Sequence, residues 1–220
     1  MATGRLPALT KEERARVEAA VHAAEQHTSA EIVPMIVRQS GLYREAQHRA
    51  GLLVALFILT ALLTIETAWL PWGWHGANAL WLLTATALAY LFGAWSGTWP
   101  LIIRLLTSHE RMRQKVQLRA ELAFAQHGVA RTREQTGLLL MVSLLERQVH
   151  VLADRSLGDH MSGAQRQDVV AVVVERIKAD DLVGGLCRGI EASAVHLARC
   201  CPSGESDNPN ELSNNVIQDP

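Results

Sequence analysis

The chain has 220 residues, enough for one or two domains, and is 49% hydrophobic with a mean hydropathy of +0.07. Its formal net charge of −1, with no basic stripe, argues against nucleic acid or another polyanion as a partner. Its three cysteines (Cys187, Cys200 and Cys201) are odd in number and lack CxxC spacing, which makes a poor disulfide framework and suits a reducing compartment.

The segment from Met1 to Gln39 is charged and carries no apolar signal core, so insertion into a membrane has to be directed by internal segments. A helix is predicted from about Lys11 to His27, opened by the capping-box pair Thr10 and Glu13 and striped by Val17, Ala20, Val21 and Ala24. "AEIVPMIV" follows and reads as a strand, with Pro34 suggesting an edge or bulged position.

Two apolar stretches come next, Ala50–Leu70 and Asn78–Ile103, each long enough to cross a hydrocarbon core that takes about 20 residues. No Asp, Glu, Lys or Arg lies between Arg49 and Glu66, and none between Glu66 and Arg104. The link "PWGWHGA" is aromatic and broken by proline and glycine, as an interfacial turn should be, and Trp69, Trp72, Trp74, Trp95 and Trp99 fall near the span ends. A transmembrane hairpin over 49–104, with helices at about 50–70 and 78–103, is the expectation, and the lipid bilayer is the first partner it implies. Arg44 and Arg49 precede it, and Arg104, Arg111, Arg113, Lys115 and Arg119 follow it, while the connecting loop has no Lys or Arg. That bias predicts a two-pass protein of a bacterial inner membrane with both termini in the cytoplasm. Glu66 is a carboxylate within the first span; its position four residues before Leu70 favours an interfacial placement over an ion pathway.

Beyond the hairpin, a helix is predicted from about Ser108 to Gln126, with Val116, Ala120, Ala123 and Phe124 on one face. "TGLLLMVSLLERQVHVLADRSL" reads as a strand hairpin, its apolar run too short for a span, closed around Glu146-Arg147 by a loop of more than two residues. Val169, Val170, Val173, Val174 and Ile177 mark a further helix despite their β-branching, and a last helix covers about Leu182 to Cys200 and stops at Pro202. The polar segment 203–220 is expected to be a disordered tail. Residues 1–48 supply too little core to fold alone, and 105–202 lie one strand short of a comfortable sheet. The economical arrangement is one α/β domain, split between 1–48 and 105–202, with a mixed sheet sandwiched by helices and interrupted by the hairpin.

The stretches "AAEQHTSAEIVPMIV", "RAELAFAQHGVARTREQTGLLLMVSLLERQVHVLADRSL", "VVAVVVERIKADDLVGGLCRGIEASAVHLARCCP" and "NPNELSNNV" resemble the TPM domain family of thylakoid lumen, photosystem II and levamisole-receptor-modulator proteins. The likeness is to its bacterial branch with a two-span hairpin. It covers most of the chain outside the spans and rests on diffuse apolar patterns. It implies a mixed sheet with helices on both faces. Some members are described as acid phosphatases or divalent-cation binders, others as assembly or modulatory partners of membrane complexes. In phosphatase-like members an acidic cluster sits at the strand ends, with a glycine-rich turn after the second hairpin strand. Here that turn reads "ADRSLGDHM", which keeps Asp154 and Asp159 and reduces the glycines to Gly158.

Asp154 and Asp159 are therefore the candidate ligands for a calcium or magnesium ion. A hard cation needs six or more oxygens, so Glu146, Asp168 or backbone carbonyls would have to join them. Arg155 could instead pair with either aspartate in a solvated loop. No P-loop or CxxxxxR cradle is present, and His150 and His160 are the remaining candidate acids. His196 and Cys200 share a helix face, but two ligands are too few for structural zinc. Two functions stay in play. One is a non-catalytic, membrane-tethered module that binds a membrane-protein partner; the other is a metal-dependent acid-phosphatase-like enzyme at the membrane.

Overall fold

Near-continuous runs of Ile, Val, Leu and Met form strands buried on both faces, and this chain has two of them side by side. β1 (Glu31–Val37) and β2 (Gly137–Ser143) are buried at every position and run parallel, Glu31 opposite Gly137 through Val37 opposite Ser143. β2 turns back into β3 (Gln148–Ala153), antiparallel to it, and β4 (Ile217–Asp219) lies parallel on the far side of β1. The order β3-β2-β1-β4 makes a mixed four-stranded sheet. The computed structural model describes residues 9–69, 76–158, 160–202 and 211–219, giving the backbone alone for 66–69 and 76–78.

Alternation along the strands splits the core in two. Ile32, Ile36, Leu138, Leu140, Val142 and Val151 pack under α1 (Lys11–Glu25), α7 (Gly163–Lys178) and α8 (Leu182–Cys200), through Val17, Val21, Val173, Leu186, Ile190 and Leu197 among others. The intervening residues Val33, Met35, Val37, Leu139 and Met141 face Val116, Ala120 and Ala123 of α5 (His109–Gln126) and Val129 of a 3-10 turn. Each fully buried aliphatic side chain contributes roughly 1.5–3 kcal/mol, so this double burial is the main support of the sheet. Gly137 is required at its place, because a Cβ there would collide with the Val129 carbonyl.

The residues from Leu42 to Met112 form a second unit, separate from the one built by residues up to Gly41 and from Arg113 onward. α2 (Arg44–Trp69) and α3 (Gly76–Ser96) pair along their length, with a short α4 (Pro100–Leu106) after them. Both long helices are apolar and long enough to cross a membrane. Their pairing depends on glycine: a Cβ at Gly93 would sit 2.8 Å from the Ala50 carbonyl oxygen, and one at Gly97 2.6 Å from the Gln47 Cα.

Three expectations need correction. The second apolar helix stops at Ser96, short of Ile103, because Gly97 and Pro100 break it; Pro100, with no N–H to give, starts α4 instead. The tail, expected to be disordered, supplies β4 and thereby the missing strand. Its polar sequence hides this because, among its described residues, only Leu212, Val216 and Ile217 pack on the cores, while side chains elsewhere in the sheet unit hold Glu211 and Asn214. Pro34 belongs to an interior strand and not to an edge strand, although β4 stops short of it. Odd residues of β1 face β2, as the Glu31 N to Thr136 O bond shows; even ones face β4, as the Arg38 N to Asp219 O bond shows. Pro34 thus directs its missing N–H toward the outer edge, where β4 pairs only with Met35–Val37. The loop between β2 and β3 has four residues, Leu144–Arg147, and Arg147 takes the left-handed φ of 52° that ends it.

Candidate functional site

At the end of the sheet where β1 and β2 begin and β3 ends lie Asp154 and, as a separate pair, Glu31 at the start of β1 and Glu25 at the end of α1. Asp154 follows β3 directly; its N–H donates to the Gly137 carbonyl at 2.9 Å and extends the ladder by one step. It caps the short helix α6 (Arg155–Gly158), its Oδ1 accepting the Arg155 N–H at 2.7 Å, while its Oδ2 is buried without a hydrogen-bond partner. Arg155 therefore meets the aspartate through its backbone, and its side chain points to solvent.

Glu31 opens β1 and is 4% exposed, a rare place for a carboxylate. Its Oε1 accepts the Glu211 N–H at 3.3 Å, and its Oε2 is buried and unpartnered. Burial raises its pKa against the lowering effect of the Glu211 and Leu212 N–H groups. Glu25, in the last turn of α1, accepts the Ile32 N–H at 3.3 Å on Oε1 and the Asn214 amide at 3.0 Å on Oε2. Burial, and after it the neighbouring Glu31, push Glu25 up to about 7. The two glutamates thus bind residues 211–214 against the sheet, and Arg133 reaches the same segment, its N–H donating to Glu211 Oε2 at 3.0 Å.

At the opposite end of the sheet lies a different arrangement. Glu146 is buried, with Oε1 accepting the Ser40 N–H at 2.9 Å and Oε2 accepting the Ser143 hydroxyl; the Ser40 and Ser143 hydroxyls are 2.9 Å apart. This network ties the loop after β1 to the end of β2. Glu146 is a turn residue, as the sequence suggests, but its carboxylate is turned inward as an internal anchor.

The predicted metal pair is not assembled. Asp159 lies outside the described residues. Glu146 stands at the other end of the six-residue strand β3, roughly 20 Å away at about 3.3 Å per residue. Asp168 is exposed on α7. Among the described residues no three His, Cys, Asp or Glu side chains come together in a way that could hold a metal ion. The donors present around Asp154 do not fit a hard cation, which needs several convergent oxygens. Cys200 contacts the His160 carbonyl at 3.5 Å, and His196 Nδ1 is buried with no partner. His150 is half-buried, and burial lowers its pKa ahead of the opposing effect of Glu121, so it is a neutral imidazole near pH 7. Glu66 sits in the last turn of α2, and its side chain is outside the described residues.

Glu25, Glu31, Ser143, Glu211 and Asn214 are the site residues that sequence reasoning missed. Two of them carried a signal. Glu25 is an acid in the last turn of a helix, against the macrodipole, and Glu31 is an acid opening an otherwise apolar strand.

No family model matches the chain, and no curated protein matches it. Among solved structures, the chain is similar to the BA42 protein from the psychrophilic bacterium Bizionia argentinensis sp. nov., determined by NMR, with a TM-score of 0.60 and 16% sequence identity. The alignment covers 99% of this chain and 100% of that one. At that identity the likeness speaks for the fold alone.

Proposed function

We propose that this chain is a membrane-anchored α/β module of the TPM type that binds a membrane-protein partner and performs no catalysis of its own. The observation that carries the reading is the surface of α2 and α3. Only 17% and 11% of the residues in their apolar stretches are buried, so these helices are not the core of a soluble fold. Phe57 is 72% exposed, and Leu56, Leu83, Leu88 and Phe92 are similarly bare. Such a continuous apolar surface is stable against hydrocarbon and costly against water. The Phe92–Trp95–Trp99 ring series at the end of α3 suits the boundary region, and Arg44, Arg49, Arg104 and Arg111 stand just past the apolar stretches.

The absence of a catalytic role rests on how the acids are used. Glu146 holds two serines, Glu25 and Glu31 hold the returning segment, and Asp154 caps α6. Phosphoryl transfer needs a metal-activated water or charge clamps around an open acceptor site. Alkaline carbonate extraction of membranes tests the anchor, with the chain expected in the pellet. In-membrane crosslinking followed by purification tests the partner; one specific protein is expected, lost when residues 154–158 are replaced. Hydrolysis of p-nitrophenyl phosphate by the purified chain, abolished by Asp154→Ala, would overturn the reading in favour of a metal-dependent phosphatase.

A further inference from the structure

We infer that the segment Glu211–Asp219 is a proton-controlled latch: Glu25 and Glu31 hold it on the outer edge of β1 while protonated and let it loosen as they ionise. The latch has little backbone support, since β4 pairs with β1 over Met35–Val37 alone. Side chains hold the rest. Asn214 donates to Glu25, the Glu211 N–H donates to Glu31, Arg133 pairs with Glu211, Arg119 with Asp219, and Arg14 donates to Gln218 at 3.0 Å. Both acids that touch the start of the segment lie beside one another, and among the described residues neither pairs with a Lys or Arg. Ionising both places two like charges in a desolvated corner under the segment that shields them from water.

The groups facing this corner are few. α1 brings Arg14, Glu18, His22 and Glu25; β1 brings Glu31; the turn before β2 brings Arg133. α5 brings Arg119, and the segment itself brings Glu211 and Asp219. The arginines serve Glu211, Asp219 and Gln218, and of the groups left the Glu25–Glu31 pair touches the segment directly, while His22 lines the cleft beside it.

The direction follows from the raised value. Glu25 titrates at about 7 with the segment in place and near the ordinary 4.5 once solvated. Below the lower value both states hold the proton and closure is strongest. Between the two values the open state releases a proton that the closed state keeps. The closed-to-open ratio then falls by up to roughly tenfold per pH unit, and it levels off above the higher value.

Hydrogen exchange of the full chain in detergent micelles, as protection factors corrected for intrinsic rates from pH 5 to 8, tests this. Protection of the 212–219 amides is expected to fall by up to tenfold per unit toward pH 7 and then level. The β2 amides of Leu139 and Met141 should stay protected. Glu25→Gln should remove most of that slope, leaving only the part that belongs to Glu31. A flat wild-type profile would overturn the latch, and so would a slope shared equally by the β2 amides. If Glu25→Gln loses protection in β2 as well, the carboxyl 13C titration of Glu25 in the wild-type chain takes its place, and a midpoint near the ordinary 4.5 instead of about 7 overturns the idea.

Discussion

The sheet unit and the helical hairpin solve opposite packing problems with the same kinds of residue. In the sheet unit every residue of β1 and β2 is buried, and the internal carboxylates find hydrogen-bond donors from backbone and side chains. In the hairpin the largest apolar side chains point outward, and the inward face is made small by Gly51, Gly93 and Gly97. Leucine therefore stabilises one region by being hidden, while glycine stabilises the other by letting backbones touch. The lesson is that hydrophobicity alone does not say which way a segment faces; the size of its neighbours across the contact does.

The widest gap between the regions should appear on truncating leucines. Leu140→Ala, at a fully buried position, is expected to cost about 2–5 kcal/mol, while Leu88→Ala should stay within about 0.5 kcal/mol. All six tryptophans lie within Leu42–Met112, so their fluorescence follows the hairpin alone and hydrogen exchange follows the sheet. Denaturant unfolding in micelles read by both probes checks the contrast, and equal losses would break it. Gly93→Leu should have the reverse profile. Its side chain cannot fit against Ala50 and Val54, so about 1–3 kcal/mol of helix pairing is lost, visible as a shift of tryptophan emission while sheet protection is kept.

Polar burial sharpens the comparison further. Glu146→Ala leaves the Ser40 N–H and the Ser143 hydroxyl without their buried acceptor, at about 1–3 kcal/mol, and the loss should show as faster exchange at the carboxyl ends of β1 and β2. The smallest effect belongs to Arg133→Ala, whose side chain is 81% exposed. About 0.5 kcal/mol or less is expected from thermal unfolding, because a solvated ion pair is screened and entropically costly.

The helices and the first three strands were legible because their signals are periodic and local. The capping box at Thr10, the Val169–Val173 stripe and the alternation of β3 each state their element within a few residues. β4 was not legible. Three residues carry no period, and its partner strand is some 180 positions away. The acid site was misplaced for a related reason. A run such as "ADRSLGDHM" draws attention by its local density of carboxylates, yet the acids that interact, Glu25 with Asn214 and Glu31 with Glu211, are paired by folding across most of the chain. Glu146 was visible as a residue, but its burial depends on Ser40, more than a hundred positions earlier.

The outer edge of β1 has a consequence for self-association. An incoming strand needs a regular row of donors, and this edge offers almost none along its first half. The Ile32 N–H is already given to Glu25, and Pro34 has none to give. Even with β4 displaced, a foreign strand finds a template only about as long as β4 itself. The strand richest in β-branched residues in the sheet unit thereby offers an incoming strand little to pair with, because of one proline and one glutamate reaching across from the preceding helix.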